Sequence, residues 1–376
     1  MRAQLRNLDG VVASEISSLP NVTVIVGDLY TKRKGAGSSV SSSLGPSDTG
    51  VNHELIKELF TGAQLAFINT TFWGDEIAQG KALAEAAVEA NIEHYIYSSM
   101  PNHSLHSGDA GPPAAKPWPS LPLWSSKATI EQYIRSLPKL ADKSTFLYTG
   151  IYNNNFTSLP YPLFCMELQS DGSFLWVAPF HPDVKLPWLD AEHDVGPAVL
   201  QIFKEGVRKW GKGERIALAY EMLSPREACR EFEKGVGRRV RYRRDPRIEV
   251  RVKIPTGYRD QLVALEEMYA LSAKDPNLQP PYFGDQDLEN SCPREALELW
   301  EGYRGLEEYA REVFPLEEAA NGLTWMNEGN ETDDEVQGGE EEQEVDDDDD
   351  DEGLTIGGGT TSGEATPARK EETWLA

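Results

Sequence analysis

Short apolar strands alternate with amphipathic helices through the first 150 residues, and this alternation most constrains the fold. Runs of β-branched and aromatic residues predict buried strands at 21–28, 64–69, 94–99 and 144–150. Apolar residues at helical spacing predict helices near 55–60 and over 75–90 and 126–137. Short buried strands that each lead into a helix are typical of a parallel sheet covered on both faces. The sequence therefore predicts an α/β fold with a doubly wound parallel sheet.

The pattern changes after residue 152, where proline and aromatic residues become frequent. Asp171-Gly172 ahead of the apolar run 173–177 predicts a hairpin. Further helices are predicted at 195–205, 224–234, 258–271 and 294–313. These elements predict a smaller C-terminal α/β subdomain that forms one wall of a cleft. The predicted division is 1–155, 156–326 and an acidic tail at 327–376.

Most of the negative charge lies in one segment. The chain has 376 residues and a net charge of −26, and residues 328–352 contain 16 acidic and no basic side chains. Such a composition predicts a disordered tail, and the Gly/Ser-rich residues 35–50 predict a flexible loop. Because an acidic chain is repelled by phosphates, we expect no direct binding of nucleic acid.

Several other classes of protein are disfavoured. The chain contains no apolar run of about 18 residues, so no membrane span is predicted. Three widely spaced cysteines favour a reducing compartment over a disulfide framework. Asp190, Glu192, His193 and Asp194 suggest a metal site only weakly, because Asp194 ahead of Val-Gly-Pro is a good helix N-cap. We therefore expect no metal.

A dinucleotide site needs a glycine-rich turn between the first strand and its helix, and none is found. The sequences at 35–40 and 235–240 lack the third glycine and are interpreted as turns. Residues 1–7 read as the tail of a second strand, so we expect a strand–turn–helix unit of about 30 residues before them. Without that unit, we expect a chain beginning at Met1 to fold poorly, because neighbouring strands would expose unpaired backbone groups.

Six stretches of sequence together resemble the NmrA-like family. They are PNVT at 20–23, AFINTT at 66–71, HYIYSSMP at 94–101, GIYNNNF at 150–156, LPWLDAEHDVG at 186–196 and EEYAREVFP at 307–315. The resemblance implies a Rossmann-like fold of the short-chain dehydrogenase type, here apparently without the first βα unit. It also implies a cytoplasmic and nuclear monomer that binds NAD or NADP and represses nitrogen-catabolic genes by contacting a GATA-type zinc-finger activator.

The resemblance also implies which residues contact the cofactor. They are Arg6, Asn7, Asp28, Leu29, Asn69, Thr70, Thr71, Lys127, Tyr152, Asn153, Asn154 and Asn155. Arg6 ends a strand where an arginine reaches the adenosine ribose or its 2′-phosphate, which favours NADP. Each group keeps an alternative interpretation: Arg6 and Lys127 as surface cations, Asp28 as an ordinary strand end, Thr70 or Thr71 as a helix N-cap, and 153–155 as a turn.

Lys127 decides between binding and catalysis. Short-chain dehydrogenases use Tyr-x-x-x-Lys on one helix face, with the tyrosine as acid and base. Leu123 stands four residues before Lys127, and the neighbouring Trp124 cannot donate a proton as a phenol does. The sequence therefore predicts a nucleotide-binding regulator with no catalytic residue. An NADP-dependent oxidoreductase and a cofactor-free scaffold are the alternatives.

A basic stretch at 238–253 has eight arginine and lysine residues against Asp245 and Glu249. The simple interpretation is one or two strands with a solvated basic face. The alternative is a docking site for an acidic partner. Charge complementarity further suggests that the acidic segment 328–352 folds back onto this face and competes with that partner.

Overall fold

The structure, a computed structural model, describes residues 1–8, 11–32, 49–72, 74–106, 117–254 and 256–327. The predicted loop lies outside the described residues up to position 48, and the predicted tail lies outside them from position 328. Thr49 and Gly50, predicted as loop, instead begin a short strand that pairs with Tyr30–Lys32.

The described chain has the strands and helices predicted for the first 150 residues, but the strands predicted as buried at 21–28 and 64–69 have one buried residue and none, respectively. Its strands are β1 (Arg2–Leu5), β2 (Thr23–Val26), β3 (Tyr30–Lys32), β4 (Thr49–Val51), β5 (Leu65–Ile68), β6 (His94–Ser99), β7 (Ser144–Thr149), β8 (Ile151–Tyr152), β9 (Met166–Leu168), β10 (Phe174–Ala178), β11 (Leu186–Leu189), β12 (Glu214–Leu218), β13 (Glu221–Leu223) and β14 (Val240–Arg244). Its α-helices are α1 (Val11–Ser18), α2 (His53–Phe60), α3 (Glu76–Glu89), α4 (Pro122–Arg135), α5 (Ala191–Glu205), α6 (Val207–Trp210), α7 (Pro225–Val236), α8 (Thr256–Ala270), α9 (Gln286–Ser291), α10 (Arg294–Leu299), α11 (Leu306–Glu312) and α12 (Phe314–Ala320).

A four-stranded parallel sheet in the order β12–β7–β6–β5 forms the centre. Successive side chains of a strand point to opposite faces. In β7, Phe146 accordingly joins the core on the side of α3 and α4, whereas Leu147 joins the core on the side of α5 and α6. Helices thus cover both faces, which confirms the predicted doubly wound parallel sheet.

Strands β1 and β2 form a separate parallel pair. This pair contacts the rest of the fold through α2, where the Arg2 guanidinium donates to the Leu59 carbonyl at 3.3 Å. Within the described residues, neither β1 nor β2 is hydrogen-bonded to β5. The hairpin β3–β4 reaches the start of α3, because Tyr30 and Thr49 lie against Gly74.

Two small mixed sheets follow, in the orders β14–β10–β9 and β13–β11–β8. Their inner faces share an aromatic cluster in which Phe156 stacks on Trp188 at 5.5 Å and meets Trp176 at 5.2 Å. The hairpin predicted around Asp171-Gly172 is present as β9–β10. One hydrophobic cluster extends from Phe60 in α2 to Trp325, so the predicted division at 155/156 crosses a continuous core.

Two sequence interpretations in the second half were wrong. Helix α5 begins at Ala191, and Asp190 is its N-cap, because the Asp190 carboxylate accepts the His193 amide at 3.1 Å. Asp194, predicted as the cap, lies inside the helix. The single helix predicted over 294–313 is two helices, because the Glu221 carboxylate accepts the Leu306 amide at 2.7 Å and starts α11 there.

Candidate functional site

Most of the predicted cofactor residues lie at the carboxyl ends of parallel strands. Arg6 and Asn7 follow β1, Asp28 and Leu29 follow β2, residues 69–71 follow β5, and residues 153–155 follow β8. In open α/β sheets, ligands bind at this edge. Thr49 of β4 lies beside Gly74, so the β3–β4 hairpin packs against the loop between β5 and α3.

Lys127 reaches this edge from α4. Its ammonium group donates to the Thr70 carbonyl at 2.5 Å and to the Asn69 side-chain oxygen at 3.3 Å, and it pairs with the Glu76 carboxylate at 3.3 Å. Lys127 is 5% exposed and Glu76 6%. An ammonium group has three donors, and each of these has an acceptor here. Lys127 therefore holds the loop after β5 against α3 and α4.

Glu76 organises the rest of this cluster. It accepts hydrogen bonds from the Thr70 hydroxyl at 2.8 Å and from the Ser126 hydroxyl. Because Thr70 gives its only proton to Glu76, the Tyr97 phenol donates to Thr70, at 2.8 Å. The Glu76 carboxylate of α3 thus connects Thr70, which follows β5, to Ser126 and Lys127 of α4. We call Asn69, Thr70, Glu76, Tyr97, Ser126 and Lys127 the Lys127 cluster.

Close packing of α3 on α4 brings Glu76 to Lys127. A Cβ atom at Gly80 would lie 2.5 Å from the Ile130 side chain, so only glycine allows this approach. Glu76 is one turn before Gly80, and Lys127 is one turn before Ile130, on the facing sides of the two helices. Asp75, rather than Thr70 or Thr71, caps α3 by accepting the Ala78 amide at 3.0 Å. The N-cap interpretation of the threonines was therefore wrong.

The phenol that acid–base chemistry needs is missing next to Lys127. The backbone amide of Leu123 donates to Gln261 at 3.0 Å, and its side chain packs against the core. Trp124 is buried against Tyr282. Tyr97 is linked to the cluster, but burial, and then the Glu76 carboxylate, raise the pKa of its phenol well above the usual value. A phenol in this environment keeps its proton, whereas a dehydrogenase tyrosine must release it.

The asparagines after β8 differ in their contacts: Asn154 is hydrogen-bonded, and the side-chain amide of Asn153 is not, among the described residues. Asn154 is 1% exposed, and its side-chain oxygen accepts the Ala191 amide at 3.0 Å, so it ties β8 to α5. Asn153 is fully buried, and neither polar atom of its amide has a hydrogen-bond partner among the described residues. The Tyr152 hydroxyl bonds to Thr149 at 3.1 Å, and burial raises the pKa of this phenol. Asn155 is half-buried.

The residues after β1 and β2 are more accessible. Arg6 and Asn7 are exposed, and each takes part in a further polar or electrostatic contact. Asp28 is half-buried, and its carbonyl accepts the Asn52 side chain at 3.0 Å. Leu29 packs against the core. Together with exposed Asn69 and half-buried Thr71, these residues present polar groups along one sheet edge. The exposed polar edge offers donors and acceptors for the ribose and base parts of a dinucleotide, but the sequence supplies no glycine-rich turn for its pyrophosphate.

Sequence reasoning missed the two carboxylates that organise α4. Glu76 reads as an ordinary acid in a first helical turn. Glu131 is 1% exposed and accepts hydrogen bonds from the Ser99 hydroxyl at 2.7 Å and the Tyr148 phenol at 2.8 Å. The Ser99 hydroxyl is therefore engaged with Glu131. Nothing in their local sequence separates these acids from solvated ones.

The described residues offer neither a metal-ion site nor a membrane-spanning helix. Within the described residues, no group of three or more His, Cys, Asp or Glu side chains is arranged to hold a metal ion. None of the helices in the described ranges is long and apolar enough to cross a membrane.

Comparison with known proteins places the chain in a family. Residues 1–310 match the model of the NmrA-like family. The chain is 65% identical over 334 residues to the nitrogen metabolite repression protein nmr of Neurospora crassa, which covers 87% of this chain and 66% of that protein. It is 47% identical over 354 residues to the nitrogen metabolite repression protein nmrA of Emericella nidulans, which covers 87% of this chain and 91% of that one.

Solved structures agree with this assignment. Crystal structures of Nmra, described as a negative transcriptional regulator, share 50% identity over 86% of this chain and 90% of theirs. The complex of Nmra with NAD gives a TM-score of 0.73, and its complex with NADP gives 0.72. This chain belongs to the NmrA-like family.

Proposed function

We propose that this protein is a nucleotide-binding negative regulator of nitrogen-catabolic genes, which acts on a GATA-type zinc-finger activator without catalysis. The observation that carries the proposal is the Lys127 cluster. It keeps the cation of the dehydrogenase motif at the ligand edge, but position 123 has no phenol and Tyr97 keeps its proton. Relatives named as nitrogen metabolite repression proteins and Nmra complexes with NAD and NADP support it.

The cofactor would lie along the carboxyl ends of β1, β2 and β5. Arg6 and Asp28 would face the adenosine half, while Asn69 and Thr71 would border the pyrophosphate and the second ribose. Lys127 would act by positioning Asn69 and the Thr70 backbone, because its donors are already engaged. Binding of the cofactor and of the activator would then be coupled. A nucleotide that favours one conformation changes the affinity for the activator by a certain factor, and the activator changes the affinity for the nucleotide by the same factor.

Isothermal titration of the full chain with NAD, NADH, NADP and NADPH tests the binding step. We expect saturable binding that Asn69→Leu weakens at least about tenfold, whereas Asn277→Leu, an exposed asparagine outside the site, leaves it unchanged. Arg6→Ala should weaken NADP more than NAD, because only NADP has the 2′-phosphate. Equal binding by all these variants would contradict the placement of the cofactor.

Turnover and partner assays test the remaining steps. We expect no protein-dependent oxidation of NADPH with a panel of carbonyl substrates. Robust oxidation that Tyr97→Phe abolishes would favour the oxidoreductase alternative. A recombinant GATA-type zinc-finger domain should bind the full chain, with an affinity that changes when a nucleotide is present. Binding of the domain without any nucleotide binding would favour the scaffold.

A further inference from the structure

The outer face of the sheet β14–β10–β9 holds an open groove that the nucleotide site does not use. Residues of β10 alternate: Phe174 and Trp176 point into the core, while Leu175 and Val177 face outward and form an apolar floor. Ile248 continues this floor beyond β14. The groove, counted together with the solvent that opens into it, has a volume of about 590 Å³.

Arginine side chains border the groove, and not all of them have an acidic partner. Arg251 is paired with Glu167 at 3.1 Å and with Glu249 at 2.7 Å. Arg243 and Arg247 are exposed, and neither forms an ion pair within the described part of the chain. Among the described residues, Asp245 is the one other carboxylate that borders the groove, and its side chain accepts the backbone amide of Arg247 at 3.0 Å.

Further cations extend this basic surface along the chain. Arg239 lies before β14 and Lys253 lies after the groove, and both are exposed without an ion pair to any described residue. Residues 239–253 therefore present four unneutralised cations: Arg239, Arg243, Arg247 and Lys253. Cations that lack acidic partners beside an apolar floor suit a peptide rich in Asp and Glu with a few apolar residues.

The described chain ends beside this sheet. The Trp325 carbonyl accepts the Arg238 guanidinium at 2.5 Å, and the Trp325 ring meets Phe174 at 5.2 Å. Phe174 pairs with Val240, so Trp325 anchors the chain at the start of β10 and β14. The acidic segment 328–352 begins three positions after Trp325 and contains 16 acidic side chains and no basic one.

We propose that the acidic segment 328–352 of the same chain occupies the groove on β14–β10–β9. The segment begins three residues after Trp325, whose ring lies on the core side of the sheet. An extended chain advances about 3.3 Å per residue, so the segment can span up to about 80 Å, enough to pass round the end of the sheet and lie along the groove. Because both partners belong to one chain, docking acts at an effective concentration on the order of millimolar. The groove is then closed to an acidic partner until that partner displaces the segment or salt screens the attraction.

Peptide binding to full-length chains tests this proposal. The probe is a fluorescein-labelled peptide of residues 328–352, measured by anisotropy at about 25 mM and about 200 mM salt. The recipient is the full chain in which the acidic residues of 328–352 are changed to Asn and Gln. We expect this neutralised chain to bind the probe and to lose at least about tenfold in affinity at the higher salt. The wild-type chain should bind it at least about tenfold more weakly, because its own segment fills the groove.

Matched variants locate the contact. Arg243→Glu with Arg247→Glu in the neutralised chain should lower affinity for the probe at least about tenfold. The control pair Arg208→Glu with Arg294→Glu changes two exposed arginines outside the groove and should leave affinity unchanged. Circular dichroism checks that each variant is folded. Equal loss in both pairs would mean attraction by overall charge and would overturn the proposal.

Cross-linking of the unmodified full chain provides an independent measurement. A carbodiimide joins lysine amines to nearby carboxylates, so at low salt we expect links between Lys253 and residues 328–352. Lys57, exposed on α2, serves as the control and should not link to that segment. Links that are absent at Lys253, or equally frequent at Lys57, would overturn the proposal. A wild-type chain that binds the probe as well as the neutralised chain would also do so, and would assign the groove to a separate acidic partner.

Discussion

The central sheet and the β1–β2 pair come from similar sequence patterns but have very different environments. Every residue of β6 and β7 is buried, whereas Ile25 is the one buried residue in β1 and β2. Strands β6 and β7 each have a strand on both sides and helices on both faces. A run of β-branched residues therefore predicts a strand, but the adjacent strands and covering helices decide how much that strand contributes to stability.

Several apolar side chains of β2 and β5 remain exposed, unlike those of β6 and β7. Val26 of β2 is 48% exposed, Leu65 of β5 is 48% and Phe67 is 39%. Apolar groups left in water contribute little to the free energy of folding, because that contribution scales with the area removed from water. Substitutions in the buried strands β6 and β7 should therefore cost much more stability than substitutions at the exposed positions of β2 and of the edge strand β5.

The largest effect is expected from Phe146→Ala in β7. Phe146 is fully buried, and the Arg135 guanidinium lies 4.3 Å from the centre of its ring. Removing a buried phenylalanine side chain should lower the free energy of unfolding by about 3–5 kcal/mol. Urea unfolding followed by tryptophan fluorescence measures it. Phe67→Ala on β5 is the matched control and should cost less than about 1 kcal/mol; equal losses would refute the contrast.

Lys127→Met should come next, because it leaves the Glu76 carboxylate buried without its cation. Removing one partner of a buried ion pair costs about 3 kcal/mol or more. The double variant Lys127→Met with Glu76→Gln should recover part of that loss, since no unpaired charge remains. Arg2→Met at the exposed β1 contact should cost less than about 0.5 kcal/mol. Chemical denaturation of the three variants and the wild-type chain at one pH provides the measurement.

Acid should weaken the central sheet through His94. Burial lowers the pKa of His94 from 6.5 to about 4, and its ring bonds to Thr145 at 2.8 Å between β6 and β7. Below pH 6.5 the unfolded chain binds a proton that the folded chain does not, so stability falls as the pH drops towards 4. The loss from this group is about 2 kcal/mol at pH 5. His94→Asn should flatten the fall in Tm between pH 7 and pH 5, and His53→Asn on α2 should not.

The smallest effect on stability is expected from Val26→Lys and Phe67→Lys. The side chain of Val26 is 48% exposed and that of Phe67 is 39% exposed. Each substitution should therefore alter the free energy of unfolding by less than about 0.5 kcal/mol. Charged side chains on exposed strands oppose edge-to-edge association. Light scattering at high protein concentration should therefore decrease in these variants. A large loss of stability would show that these strands are more buried in solution than in the structure.

The sequence predicted the doubly wound sheet because apolar residues are spaced differently in strands and in helices, and this spacing can be seen within each short segment. It also located Lys127 and the missing phenol at Leu123, since both depend on spacing within one helix. It did not predict Asp190 as the cap of α5 or the break between α10 and α11. Asp190 and Asp194 are both good caps locally, and the break at Leu306 depends on a carboxylate 85 residues away.

The sequence by itself determined the alternation of strands and helices in the first 150 residues, the position of Lys127 and the acidic segment that follows Trp325. The tertiary structure alone decided that Glu76 neutralises Lys127, because 51 residues separate them and the close packing of Gly80 on Ile130 brings their helices together. It also decided which arginines of the basic stretch remain unpaired. Side-chain pairing across distant segments depends on packing, and packing is a property of the folded chain that local sequence does not contain.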